Sequence, residues 1–129
     1  NNYFSHYRII AEPGRVIGGT AVTLVTRIIG KSYRDGVWWY YLDDGVYGSF
    51  SGKIYDHVEY PMTISRTGQR FASVLAGPTC DSIDVLYENI QLPEMVIGDL
   101  ILFSSMGAYT SASASNFNGY KKPDLVLID

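Results

Sequence analysis

The chain is short of cysteine, of histidine, of clustered positive charge and of long apolar runs, and each shortage excludes something. One cysteine in 129 residues cannot make an internal disulfide, so the fold has to be held by its core. Two histidines among scattered carboxylates offer no converging ligand set, and metal ligation is set aside. No stretch approaches the roughly 18 apolar residues of a membrane span. The opening Asn1–His6 lacks the basic start and apolar run of a secretory signal. The net charge is −3 with Lys and Arg placed singly, which excludes the basic footprint of a nucleic-acid binder. A reducing, cytoplasmic setting is the expectation.

What is present is a composition of 47% hydrophobic and 18% charged residues, that of one globular domain able to bury its own core. The β-branched run Thr20–Ile29 reads as a strand ending at a turn signal, Gly30. Polar residues follow, closing in Asp35-Gly36, and Val37–Leu42 then reads as the second arm of a hairpin. Trp38-Trp39-Tyr40-Tyr41 resembles a sugar or base platform, but strand neighbours face opposite sides, so core packing is the better reading. Further strands are expected at Arg8–Arg15, ending in a Pro-Gly turn, and at Lys53–His57, Phe71–Ala76, Val96–Phe103 and Leu125–Ile128. Asp81–Tyr87 reads as a helical turn capped by Asp81 or Ser82. The small-residue run Ser111–Ser115, bracketed by aromatics, points to close backbone packing. About eight short strands with turn signals between them predict an all-β, Greek-key-like sandwich or barrel.

The stretch around which the rest is arranged is Gly77-Pro78-Thr79-Cys80-Asp81. Free cysteine is most often a buried small hydrophobe. Here it follows a Gly-Pro turn and precedes an acid, in the kind of loop that carries chemistry.

Taken in order, Glu12-Pro13-Gly14-Arg15, Asp44-Gly45-Val46-Tyr47-Gly48-Ser49-Phe50, Tyr55-Asp56-His57, Gly77–Asp81, Leu92-Pro93-Glu94, Gly98-Asp99 and Met106-Gly107-Ala108-Tyr109 closely resemble the C-terminal part of the ornithine decarboxylases. These are pyridoxal-phosphate-dependent enzymes with a β/α barrel, related to alanine racemase. The resemblance covers essentially the whole chain. It implies that residues 1–18 are the last strand and loop of a truncated (β/α)8 barrel, and that 19–129 are the β-barrel domain that follows.

By the same resemblance Glu12 faces the pyridine nitrogen of pyridoxal 5′-phosphate, and a carboxylate there keeps the ring protonated as an electron sink. Arg15 and Tyr109 would hold the phosphate. Asp56 and Asp81 would receive the far ammonium of a basic amino-acid substrate, with Tyr47 and Phe117 lining the pocket. Cys80 would reprotonate the α-carbon after carbon dioxide leaves. The family works as a homodimer, with Cys80 and Asp81 reaching the neighbour's cofactor. Asp43 departs from the asparagine commoner in eukaryotic members.

Lys31, Lys53, Lys121 and Lys122 match no cofactor-linking lysine, and in the family that lysine belongs to the barrel. The 129 residues alone are therefore expected to be inactive. Cys80-Asp81, in place of the Cys-Glu of the diaminopimelate branch, favours ornithine or lysine as substrate. A non-catalytic, inhibitor-like homologue using the domain for association is the alternative, disfavoured by retention of every pocket residue. A sugar-binding module would rest on the aromatic run alone.

Overall fold

Alternation decides the first long strand. In the computed structural model, which describes residues 2–128, β1 (Leu24–Arg34) buries Leu24, Thr26 and Ile28 while Val25, Arg27 and Ile29 face out. The inward threonine is satisfied, its Oγ1 donating to the Ile101 carbonyl at 3.1 Å. Gly30 is not the turn that its identity suggests. The strand runs through it, with a register shift between Ile28 and Gly30, and the Tyr41 ring lies 3.4 Å from where a Cβ would stand. The reversal comes at Asp35 (φ 50°) and Gly36 (φ 82°), the pair of left-handed residues that a two-residue hairpin requires. β2 (Val37–Leu42) returns antiparallel. Its aromatics divide by face as expected: Trp38 and Tyr40 stack inward at 6.0 Å, while Trp39 and Tyr41 carry the Arg34 guanidinium outside.

Four more strands follow: β3 (Met62–Ile64), β4 (Arg70–Ala76), β5 (Val85–Pro93) and β6 (Leu100–Phe103). The sheet order is β3-β6-β1-β2-β4-β5, antiparallel throughout except for the parallel pair β2/β4. The sheet curls into a half-barrel, so the all-β expectation holds. Its concave face is filled by Ile28, Tyr40, Phe50, Leu75, Ile101 and Phe103, each fully buried. Burial of each such side chain is worth about 1.5–3 kcal/mol. Phe50 meets Phe103 edge-on at 4.9 Å and Tyr60 at 5.8 Å.

The free edges of the curl are drawn together by one side chain. The Tyr87 hydroxyl of β5 accepts the Tyr60 N–H at 3.1 Å and donates to the Tyr60 carbonyl at 2.9 Å, just ahead of β3. A side chain thus makes the two bonds that a neighbouring strand would make. Burial pushes this phenol up to about 12.

Four local expectations are corrected. Residues 8–14 form no strand, and Ile9 and Ile10 stay exposed without a neighbouring strand among the described residues. Arg15–Gly18 is instead one turn of helix, α1. Lys53–His57 is also helical: α2 (Gly52–Tyr55) ends at Asp56, and His57 (φ 51°) turns the chain back. Asp81–Tyr87 is no helix; Asp81 accepts the Ile83 N–H at 3.1 Å in a tight turn, and β5 starts at Val85. Leu125–Ile128 makes no strand and is exposed throughout. Among the described residues no helix is long and apolar enough to cross a membrane.

Candidate functional site

Two loops meet because two strands run the same way. Trp38 to Tyr41 of β2 pair in parallel with Ser73 to Ala76 of β4, so both strands release their chains at the same end of the sheet. From β2 comes the loop 43–50 carrying Tyr47, and from β4 the loop 77–84 carrying Cys80 and Asp81. Asp84, 2% exposed, ties them: Oδ1 accepts the Val46 N–H at 2.9 Å, and Oδ2 accepts the Thr79 N–H at 3.0 Å and hydroxyl at 2.6 Å. A Cβ on Gly45 or Gly77 would stand 2.2 or 2.1 Å from this carboxylate, so only glycine lets both loops close on it.

The result is a contact between two of the residues singled out from sequence. The Tyr47 hydroxyl donates to Asp81 Oδ2 at 2.5 Å. That bond lifts the phenol to about 12 and, with the Ile83 N–H, holds the Asp81 carboxyl below its usual range. Phe117 stacks on the Tyr47 ring at 4.1 Å. Ser115 fixes the same tyrosine from behind, its N–H and hydroxyl both donating to the Tyr47 carbonyl. Cys80 is exposed beside this group, with Asn118 Nδ2 at 3.8 Å from the sulfur.

Glu12, Arg15, Asp56 and Tyr109 form a second group, along an open cleft of about 720 Å³. Arg15 Nη2 bonds Asp56 Oδ2 at 2.7 Å, and the guanidinium lies over the Tyr109 ring at 5.2 Å. Both ends of this ion pair are partly exposed, so it is worth at most about 1 kcal/mol and yields readily to a competing charge. Tyr109 is held with φ 58°. A Cβ on Gly14 would come 2.7 Å from its hydroxyl, so that glycine leaves the room the phenol occupies. The segment 109–117 joins the two groups. Ser113 lines the cleft and meets Ser51 at 2.7 Å, while Ser115 and Phe117 pack on Tyr47.

The donor set fits an anionic, aromatic ligand such as pyridoxal 5′-phosphate. A guanidinium fork and a phenol offer anion contacts, and Glu12 offers a carboxylate that can accept from a protonated ring nitrogen.

Sequence reading did not single out Asp84, Ser51, Ser113, Ser115 or Tyr60. For Asp84 the signal was present, as an acid close to a Gly-Pro turn and without a local role. Asp44 also escaped it. This buried acid accepts the Gly45 and Ser49 N–H groups on Oδ1, with burial raising its pKa. For the serines only the small-residue run gave a hint.

Residues 10–107 match the family model described as the pyridoxal-dependent decarboxylase C-terminal sheet domain. The chain belongs to this family. Among curated decarboxylases, it is 47% identical over 127 residues to the lysine/ornithine decarboxylase of Selenomonas ruminantium, covering 98% of this chain and 32% of that one. It is 39% identical to the ornithine decarboxylase of Mus musculus, covering 96% and 31%. Among solved structures of the family, the lysine/ornithine decarboxylase of Vibrio vulnificus complexed with cadaverine superimposes with a TM-score of 0.83 at 54% identity, over 86% of this chain and 30% of that one. The Paramecium bursaria Chlorella virus arginine decarboxylase gives 0.81 at 38% identity, over 86% and 31%. The chain thus spans about a third of the length of the decarboxylases it matches.

Proposed function

We propose that this chain is the C-terminal portion of a pyridoxal-phosphate-dependent decarboxylase converting lysine or ornithine to the diamine and carbon dioxide. The observation that carries this reading is the linkage of two chemically distinct groups by one segment: an anion-binding cleft with Arg15 and Tyr109, and an acidic, aromatic edge with Asp81, Tyr47 and Phe117. The names of the relatives, lysine/ornithine and ornithine decarboxylase, support the substrate class.

The cofactor, when bound, supplies the electron sink for loss of the carboxylate. The chain's residues supply part of the remaining work, the cofactor-linking lysine belonging to the barrel. Arg15 and Tyr109 hold the phosphate, and Glu12 keeps a proton on the ring nitrogen. Asp56 and Asp81 receive the distal ammonium. Tyr47 fixes the direction of the Asp81 carboxylate and, with Phe117, keeps water from the aliphatic part of the substrate. The Cys80 thiol donates the proton that replaces the lost carboxylate. Its exposure beside Asp81 suits delivery to a neighbouring subunit's site, so the working unit proposed is a homodimer. Residues 1–18 are proposed as the exit of a β/α barrel, 19–129 as the second domain, and the compartment as cytoplasmic.

The test is carbon dioxide release by the full-length protein carrying this chain, on ornithine, lysine, arginine and diaminopimelate. Turnover of ornithine or lysine is expected, with Cys80→Ala lowering kcat on the order of a hundredfold as a lost general acid does. No release from any of the four substrates overturns the reading.

A further inference from the structure

Tyr60 is 2% exposed, and its hydroxyl has no hydrogen-bond partner among the described residues. A buried hydroxyl left unpaired costs about 1–3 kcal/mol against a phenylalanine of the same shape. Packing does not require it, since the ring meets Phe50 edge-on in a contact that phenylalanine makes equally well. Its position is the informative part. The hydroxyl stands directly behind Gly52, where a Cβ would come within 2.4 Å, and Gly52 is part of the cleft wall along with Arg15 and Asp56.

Burial raises the pKa of this phenol, and the nearby Arg15 guanidinium pulls against that rise. The two form no well-directed hydrogen bond, although the guanidinium is near enough to lower the phenol's pKa both as a donor and as a charge. Arg15 spends Nη2 on Asp56 at 2.7 Å and turns Nη1 to the Ala108 carbonyl at 3.4 Å, a long and weak contact. An incompletely satisfied hydroxyl therefore lies beside a donor committed to Asp56 and Ala108.

We infer that Tyr60 is a positioning residue for Arg15: its hydroxyl accepts a guanidinium N–H when Arg15 leaves Asp56 for an anionic ligand, which fixes the fork on the anion and frees Asp56 for a cation. The inference rests on the reading of the cleft as an anion site, and it explains why the two opposite charges assigned to different ligands are paired with each other here. Tyr60 touches neither ligand; it acts through Arg15.

The test follows the Arg15 guanidinium resonance of the full 129-residue chain, labelled with nitrogen-15, during titration with inorganic phosphate, against chloride at matched ionic strength. Tyr60→Phe is expected to weaken phosphate roughly tenfold, the worth of one hydrogen bond to a charged group, with melting temperature unchanged or raised. In an Arg15→Lys background, which keeps the charge and loses the fork, Tyr60→Phe is expected to change nothing further. An unaltered phosphate affinity in Tyr60→Phe, with Arg15→Lys still weakening it, overturns the inference and leaves the cleft reading intact. A fall in melting temperature also overturns it, because the hydroxyl then has a structural partner in the folded chain. Absence of phosphate binding by the unsubstituted chain, or binding indifferent to Arg15→Lys, removes the anion site and the inference together.

Discussion

Replacing Tyr87 by phenylalanine deletes one oxygen and tests how the half-barrel is held shut. That oxygen serves both backbone groups of Tyr60, at 3.1 and 2.9 Å, and Tyr60 is 2% exposed, so water has poor access to the groups left behind. Each of the two unpaired buried groups costs about 1–3 kcal/mol, so the loss expected is roughly 2–6 kcal/mol. The ring itself stays: it remains stacked on Phe103 at 5.9 Å and under the Lys53 ammonium at 4.0 Å, so little packing is lost to confuse the result. For a domain of this size, at about 4 °C per kcal/mol, the shift in Tm is roughly 8–25 °C. Urea unfolding followed by tryptophan fluorescence measures it, with the midpoint falling and the slope unchanged. Tyr33→Phe, at a residue 61% exposed, is the control. High pH gives a second route to the same bond. The phenol's folded value, about 12, lies above its ordinary value near 10, so its contribution is complete below pH 10 and is lost as pH rises through 12. A loss under about 0.5 kcal/mol for Tyr87→Phe, comparable with an ordinary surface change, would refute the claim that this hydroxyl holds the edges together.

Other perturbations separate the loops from the sheet. Gly77→Ala puts a Cβ 2.1 Å from Asp84 and is expected to cost about 3 kcal/mol or more in urea unfolding, as breakage of a buried hydrogen-bond network does. Gly36→Ala, in open space at φ 82°, should cost only the about 1–2 kcal/mol of a left-handed backbone; equal losses at the two positions would contradict the crowding argument. Tyr47→Phe should raise the Asp81 carboxyl toward its ordinary value, followed by carboxyl-carbon NMR. Since the folded value is depressed, the stability tied to Asp81 is present above the unfolded pKa and lost as pH falls through the folded one; the variant loses it at higher pH, and an unmoved titration counts against the bond. Gly52→Ala should drive the Tyr60 ring from its place and lower Tm, whereas a neutral result would mean that the ring has room to move.

Much of the sheet was legible because its strands obey local rules. β1 alternates, β2 is aromatic, β4 is short and apolar, and Asp35-Gly36 is a hairpin turn by its own chemistry. β5 was not legible, because it carries Glu88, Asn89 and Gln91 along a sheet edge, and Asn89 sits at φ 56°. Leu125–Ile128 shows the reverse error, four apolar residues with no edge to join. Lys53–His57 failed because five residues cannot distinguish a strand from one helical turn. The site residues could be named from motif order, but their meeting could not. Tyr47 and Asp81 come together through a parallel pairing of β2 with β4, strands separated in the chain by β3, and no local pattern encodes that partnership.

The fastening of loops 43–50 and 77–84 to Asp84 also bears on how this domain can change over generations. Neither loop is free to accept substitutions on its own account, since a side chain added at Gly45 or at Gly77 strikes the same carboxylate. Exchange of one loop for a relative's version should succeed only when its opposite number is carried over with it. The pocket's selectivity would then be inherited as a block, and new preferences would arise at the Phe117 side chain, whose stacking on Tyr47 does not involve that carboxylate.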